Sequence, residues 1–252
     1  MRLVTYDAGA GPRAGMLVDG GLHDAGPSLR ALLASGADPE PGEPVESARL
    51  LPPVPDPQKI IGIGLNYREH AEEAGLEPPA TPTFFGMWAN ALVPDGAAVT
   101  LPTQKCDYEA EVAFVIGAGG RIGGYTLLND LSARDRQFAT PQWMPGKVFD
   151  GAAPCGPWLV TPDEAGPSDA IEIELHLNGE LRQQGSTAGL VHSIPDLLEH
   201  LGTLMTLAPG DIVATGTPSG TGASREPREY LKPGDEVVIS SPTLGALTTR
   251  FG

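Results

Sequence analysis

Cysteine is nearly absent. The 252 residues hold only Cys106 and Cys155, too few for a disulfide framework or for paired thiolate metal spacing. Cations are scarce as well, 16 Lys and Arg against 32 Asp and Glu. A net charge of −16 makes nucleic acid and an anionic membrane surface poor partners. No run approaches the roughly 18 apolar residues that span a bilayer. The opening "MRLVTYDAGAGPR" lacks the apolar stretch of a signal peptide. These absences leave a cytoplasmic chain as the expectation.

Glycine and proline, by contrast, are plentiful. The 33 glycines and 26 prolines fall between short apolar runs, a distribution of many short strands and turns. Residues 1–57 read as a small N-terminal unit and linker: strands at "RLVTY" and "GMLVD", a two-turn helix "SLRALLAS" capped by Ser28, then the Pro- and acid-rich "GADPEPGEPVESARLLPPVPDP". Residues 58–252 form the second unit. There "KIIGIGLNY" runs as a buried strand into the short helix "NYREHAEEAG", ended by Gly75. Asn178-Gly179 turns a hairpin in "IEIELHLNGELRQQG". A capping box at Ser193 and Asp196 starts a helix that points Leu197, Leu198, Leu201 and Leu204 inward. "LAPGDIVATGTP" and "LKPGDEVVISSP" share a Pro-Gly turn before a strand. The class is α+β, mainly β, without the regular alternation of a Rossmann fold or barrel.

Several motifs fail on inspection. "GIGLNY" has Tyr67 where a dinucleotide fingerprint needs its third glycine, and "PGKV" lacks the rest of a P-loop. Cys155 reads as a compact buried hydrophobe. His23, His176, His192 and His200 have no evident partner chemistry. "TGTPSGTG" can bring backbone amides close to a ligand but is a weak signal alone.

"CDYEAEVAFVIG" is more pointed. Asp107, Glu109 and Glu111 alternate with Tyr108, Val112, Phe114 and Ile116 on the other phase, so the acids share one face of a strand. Either that face is wet or something cationic sits on it. Asp130, after the apolar run in "GGYTLLNDLSARDRQ", would complete an all-oxygen set with Glu109 and Glu111. Such a set suits Mg²⁺, Mn²⁺ or Ca²⁺ and not zinc.

"NYREH" with Glu73, "DYEAE", "GGYTLLNDLSARDRQ", "KVFDGAAPCGPW" and "LAPGDIVATGTPSGTG" occur in the order and spacing of the fumarylacetoacetate hydrolase family. The chain resembles its branch of acylpyruvate hydrolases, oxaloacetate decarboxylases and catabolic isomerases, over residues 58–252. The resemblance implies a mixed β roll with short helices, a homodimer and a small 2-oxo or β-diketo acid as substrate. It implies Glu109, Glu111 and Asp130 as ligands of Mg²⁺, with Asp107 behind them. His70 and Glu73 match the family's His–Glu pair, and Lys147 its active-site lysine. Arg134, Gln137 and Thr217 match substrate-binding positions, Arg134 having an ion pair with Asp135 or another acid as its alternative. The implied activity is Mg²⁺-dependent hydrolysis of a C–C bond in an acylpyruvate-like β-diketo acid. The alternative is a 2-oxo acid decarboxylase or isomerase on the same scaffold. One departure is Met87, where the family's lysine is frequent; it predicts a less cationic mouth, under the lid expected from "AEEAGLEPPATP".

Overall fold

The computed structural model describes residues 1–73 and 75–252. Ala74, inside the expected lid segment, lies outside the described residues. Two sheets carry the fold. The larger has eleven strands. Its main path runs Gly21–Gly26, Pro12–Val18, Arg2–Asp7, Ala153–Val160, Ile122–Asn129, Ala110–Ile116, Ile212–Ala214, Ile60–Gly64 and Thr83–Met87. Neighbours on this path are antiparallel except Ile212–Ala214 against Ile60–Gly64, which are parallel. The second sheet orders Glu180–Ser186, Glu172–Leu177, Glu236–Ser241, Gly245–Phe251 and Ala98–Val99. No helix among the described residues is long and apolar enough to cross a membrane.

Strand Ala110–Ile116 is buried along its whole length, because each of its faces meets a different core. Val112, Phe114 and Ile116 join Leu127 with Leu175, Val237, Ile239 and Leu247 of the second sheet, and with Leu197 and Leu201 of helix Ile194–Leu204. Ala113 and Val115 join Ile60, Leu128, Leu159 and Ile212 in the other core. Glu111 and Glu109 continue the phase of Ala113 and Val115 past the end of that packing. The wet-face alternative is therefore excluded: Glu109 and Glu111 are 6% and 2% exposed.

Much of the local chemistry appears as expected. Ser28 accepts from Ala31 N at the start of helix Leu29–Ser35. Ser193 and Asp196 form the capping box. The hairpin turns at Asn178 and Gly179, both with positive φ. The two Pro-Gly segments share one device, since Asp211 accepts from Ala208 N and Asp235 from Lys232 N, although their strands belong to different sheets.

Four expectations need correction. "CDYEAEVAFVIG" is two strands, because Cys106–Asp107 pairs with Ser132–Ala133 and the ladder resumes at Ala110. The Pro-rich stretch is not all linker: Arg49–Leu51 pairs with Thr5–Asp7, and Pro53 O accepts from Thr5 Oγ1 at 2.6 Å. Leu204 is 55% exposed, because the helix ends there and Met205 and Leu207 carry the apolar contact onward. Met87 does not stand at a mouth. It is 3% exposed and packs with Ile60 and Phe85 in the core, since the inward phase of strand Thr83–Met87 spends Phe85 on the cavity and Met87 behind it. Met87→Lys would bury an ammonium without a partner, costing about 3 kcal/mol or more. At about 2–4 °C per kcal/mol for a chain this size, the melting temperature should fall by about 6–12 °C. A folded Met87→Lys protein with wild-type melting and altered substrate preference would contradict this placement.

Candidate active site

The register of the central strands builds the site. Ala110 pairs with Asn129 and Glu111 with Leu128, and Asp130 N donates to Glu109 O at 2.9 Å. This brings Asp130 beside Glu109 and Glu111, with one ligand oxygen from each within 4.8 Å of the others. Lys147, 2% exposed, donates from Nζ to Glu109 Oε2 at 2.6 Å and Asp130 Oδ2 at 2.7 Å. Arg134 holds Asp107 through Nε at 2.9 Å and Nη2 at 2.6 Å, and its Nη2 also reaches Glu109 Oε1 at 2.8 Å. Its Nη1 donates to Gln137 Oε1 at 3.0 Å. Of the acids that could pair with Arg134, Asp107 and Glu109 do so, while Asp135 accepts from Thr103 Oγ1 at 2.8 Å. Three hydrogen bonds, two to Asp107 and one to Gln137, thus fix the guanidinium, and Glu109 completes its ion pairing.

Glycine-rich "TGTPSGTG" supplies the next layer. Gly216 N donates to Glu111 Oε2 at 2.8 Å, Gly220 N to Glu73 Oε1 at 3.0 Å, and Gly222 N and Ala223 N to Asp107 at 2.8 and 3.0 Å. The loop aims its amides at the carboxylates of the site. Gly220, with φ +104°, cannot be replaced: a Cβ there would lie 2.1 Å from Arg182 O.

His70, on helix Arg68–Glu73, sets Nδ1 3.3 Å from Glu73 Oε2. A carboxylate only accepts, so Nδ1 carries the proton and Nε2 is left as the basic nitrogen. His70, Glu109, Glu111, Asp130, Arg134, Gln137, Lys147 and Thr217 share one cavity of about 130 Å³. Glu73 stands behind His70 and does not line it. The apolar wall is Leu76, Phe85, Phe138 and Trp143, with Lys147 Nζ 5.3 Å from the Phe85 ring centre. Trp143 explains part of "GIGLNY", since a Cβ on Gly64 would sit 2.1 Å from its ring. A larger groove of about 1050 Å³ lies between residues 101–104 and 225–233, but no histidine is among the described residues that line it.

Charge is sharply divided within the cluster. Burial opposes the Glu109 carboxylate, yet Lys147, Arg134 and His70 outweigh it and hold its pKa at about 2. Burial raises Asp130 to about 6, Lys147 pulling downward and Glu109 adding to the rise. Burial, reinforced by the charges of Asp130 and Glu109, puts Glu111 well above the ordinary carboxylate range. Lys147 is raised: burial disfavours its ammonium, but Asp130 and Glu109 prevail. Burial pushes Cys155 up to about 12, which leaves it an inert thiol.

The residues fit a hard divalent cation. Their donors are all oxygen, and Asp130 Oδ1 is buried with no hydrogen-bond partner among the described residues. Glu109, Glu111 and Asp130 would hold the ion. Missing from the sequence reading were Gln183, Phe85, Trp143 and Phe138. Phe85 and Trp143 are announced only by the glycines at 62 and 64, which leave room for rings.

The sequence and the fold that carry this site are shared with known enzymes. The C-terminal model of fumarylacetoacetate (FAA) hydrolase matches residues 59–252, and the chain belongs to the fumarylacetoacetate hydrolase family. It is similar to the oxaloacetate tautomerase YisK of Bacillus subtilis, with 39% identity over 224 residues, 82% of this chain and 74% of that protein. Its fold matches the fumarylacetoacetate hydrolase of psychrophilic Exiguobacterium antarcticum with a TM-score of 0.88 at 30% identity. It also matches 5-carboxymethyl-2-hydroxymuconate delta-isomerase from Mycobacterium smegmatis, with a TM-score of 0.84 at 30% identity. Each match covers 100% of this chain and 99% of the other.

Proposed function

We propose that this enzyme moves a proton within a small 2-oxo acid, interconverting its keto and enol forms, with oxaloacetate the first substrate to test. The observation that carries this reading is one oriented base, His70, on a cavity of only about 130 Å³. That volume is well below the roughly 300–1,000 Å³ of sites for larger ligands. The similarity to an oxaloacetate tautomerase adds support.

Glu109, Glu111 and Asp130 would hold Mg²⁺ in this reading, with Mn²⁺ or Ca²⁺ as alternatives. When bound, the cation supplies Lewis acidity that favours enolisation of a 2-oxo group. His70 Nε2 takes the proton from C3, and the C–H electron pair forms the C2=C3 double bond as the C2=O π pair moves onto its oxygen. That oxygen takes the proton back from the His70 imidazolium to give the enol. Glu73 keeps the proton on Nδ1 and steadies the imidazolium that forms. Lys147 balances the carboxylates, while Gln137 and Thr217 present polar atoms to the acid. Phe85 and Trp143 limit water at the reacting carbon.

Hydrolysis of an acylpyruvate C–C bond is the second reading. The same His70–Glu73 pair can activate water, and the apolar wall of Leu76, Phe138 and Trp143 suits a hydrocarbon tail. The homodimer belongs to both readings; exposed Phe84 and Trp88 at the free edge strand give it an apolar face to cover. The test follows enol absorbance of oxaloacetate with Mg²⁺ and with EDTA, and runs acylpyruvates in parallel. Enol decay no faster than with Mg²⁺ alone would defeat the tautomerase reading. Acylpyruvate cleavage in its place would establish the hydrolase.

A further inference from the structure

Gln183 stands on strand Glu180–Ser186 of the second sheet and is 1% exposed. Its side chain joins three segments distant in sequence. Oε1 accepts from Ala110 N at 2.9 Å, the amide between Glu109 and Glu111. Nε2 donates to Pro218 O at 2.8 Å and to Thr217 Oγ1 at 2.8 Å. These partners permit one orientation of the amide. A backbone N–H only donates and a proline carbonyl only accepts, so a flipped amide would oppose donor to donor and acceptor to acceptor.

The direction of the third bond follows. Gln183 is the donor and Thr217 Oγ1 the acceptor, so the hydroxyl keeps its own proton to give. No acceptor for that proton occurs among the described residues. Thr217 is 3% exposed and lines the cavity with His70 and the three carboxylates. A buried hydroxyl with an unspent donor facing a cavity is made for a ligand oxygen that accepts.

We propose that Gln183 is a positioning residue that commits Thr217 to donate, so that this wall selects a substrate presenting a carboxylate oxygen. The inference rests on the 2-oxo acid reading and deepens it, because it names the group of the acid that Thr217 takes. It also distinguishes Gln183 from a mere brace between sheets. A brace would affect folding and the metal ligands, whereas a positioning residue acts through Thr217 on substrate binding.

The experiment is a double-mutant cycle on oxaloacetate tautomerisation, with pyruvate inhibition as a second readout of carboxylate binding. Thr217→Val should raise KM and the pyruvate inhibition constant by about 10- to 100-fold, the range for losing a hydrogen bond to a charged group, with kcat little changed. Gln183→Leu should raise both by about 3- to 10-fold in the wild type and not at all in the Thr217→Val background. Gln183→Glu keeps an acceptor for Ala110 N but offers Thr217 a carboxylate to donate to. Its KM should approach that of Thr217→Val, with unchanged calorimetric Mg²⁺ affinity, and it carries the test if the Leu variant does not fold. Effects of Gln183 and Thr217 that multiply, or a fall in Mg²⁺ affinity in Gln183→Glu, would overturn the proposal alone. A wild-type enzyme that neither turns over oxaloacetate nor binds pyruvate would overturn the functional reading, and this inference with it.

Discussion

His70→Ala should lose about 10²- to 10⁴-fold in the rate of enol–keto conversion, the usual contribution of a general base. Its Mg²⁺ affinity and melting temperature should stay near wild type, because among the described residues the one side-chain hydrogen-bond partner of His70 is Glu73 and not a carboxylate of the cluster. Glu73→Gln separates orientation from presence. Its amide can still accept from Gly220 N, but its NH₂ would donate to Nδ1 and drive the ring proton onto Nε2. The base would then be the wrong tautomer, giving a defect in the same direction and of smaller size. Steady-state rates at saturating Mg²⁺, with calorimetry on the same preparations, provide the measurement. If His70→Ala turns over at the wild-type rate, the pair is structural and the proton moves by another group.

The second large effect concerns stability, and its sign differs between two neighbouring carboxylates. Glu109 answers two buried cations, Arg134 and Lys147. Glu109→Gln should cost about 3–5 kcal/mol, the penalty of leaving buried charge unpaired. Glu111 has no cation in salt-bridge contact among the described residues; it accepts from Gly216 N, as the oxygen of a glutamine can also do. In EDTA, Glu111→Gln should therefore melt above wild type. Each pKa unit of upward displacement corresponds to about 1.4 kcal/mol, and each kcal/mol to about 2–4 °C. The same variant should lose the melting increase that Mg²⁺ gives the wild type.

The pH dependence follows from the same displacement. A carboxyl whose folded pKa lies above its unfolded value stabilises the fold when protonated, and loses that contribution as pH rises. For Asp130 the loss in EDTA runs from the unfolded value of 3.8 to about 6, and Glu111 acts in the same direction. Mg²⁺ requires the deprotonated forms, so it should offset the loss above about pH 6. Thermal melts across this range, with Mg²⁺ and with EDTA, test it. A wild-type protein indifferent to Mg²⁺, or a Glu111→Gln protein less stable than wild type in EDTA, would dismiss the cluster as a cation site.

Local chemistry was the legible part of this sequence. Ser28, Ser193 with Asp196, and Asn178-Gly179 act within a few residues of themselves, so caps and turns could be located without the fold. Five motifs in order gave the family and its carboxylates. Partners far along the chain were not legible. Arg134 faces Asp107 across 27 positions and Gln183 reaches Ala110 across 73, distances at which no periodicity in one strand names the other. Met87 failed because its place at a mouth was carried over from the family's lysine, whereas one phase of strand Thr83–Met87 here serves the cavity at Phe85 and the core two residues later. The break at Tyr108–Glu109 was hidden because the alternating pattern runs through it unchanged.

The amides of residues 216–223 reach back 105 positions to Glu111, 115 to Asp107 and 147 to Glu73. Strand Ile212–Ala214, just before them, closes in parallel on Ile60–Gly64. During synthesis, then, the acidic strand leaves the ribosome about a hundred residues before the loop that satisfies it. Non-local closures of this kind slow folding, and until the loop arrives Glu111 and Glu73 lack their backbone donors. The reaction centre should be among the last parts to mature. A chain interrupted before residue 212 would carry Glu109, Glu111 and Asp130 and still have no assembled site.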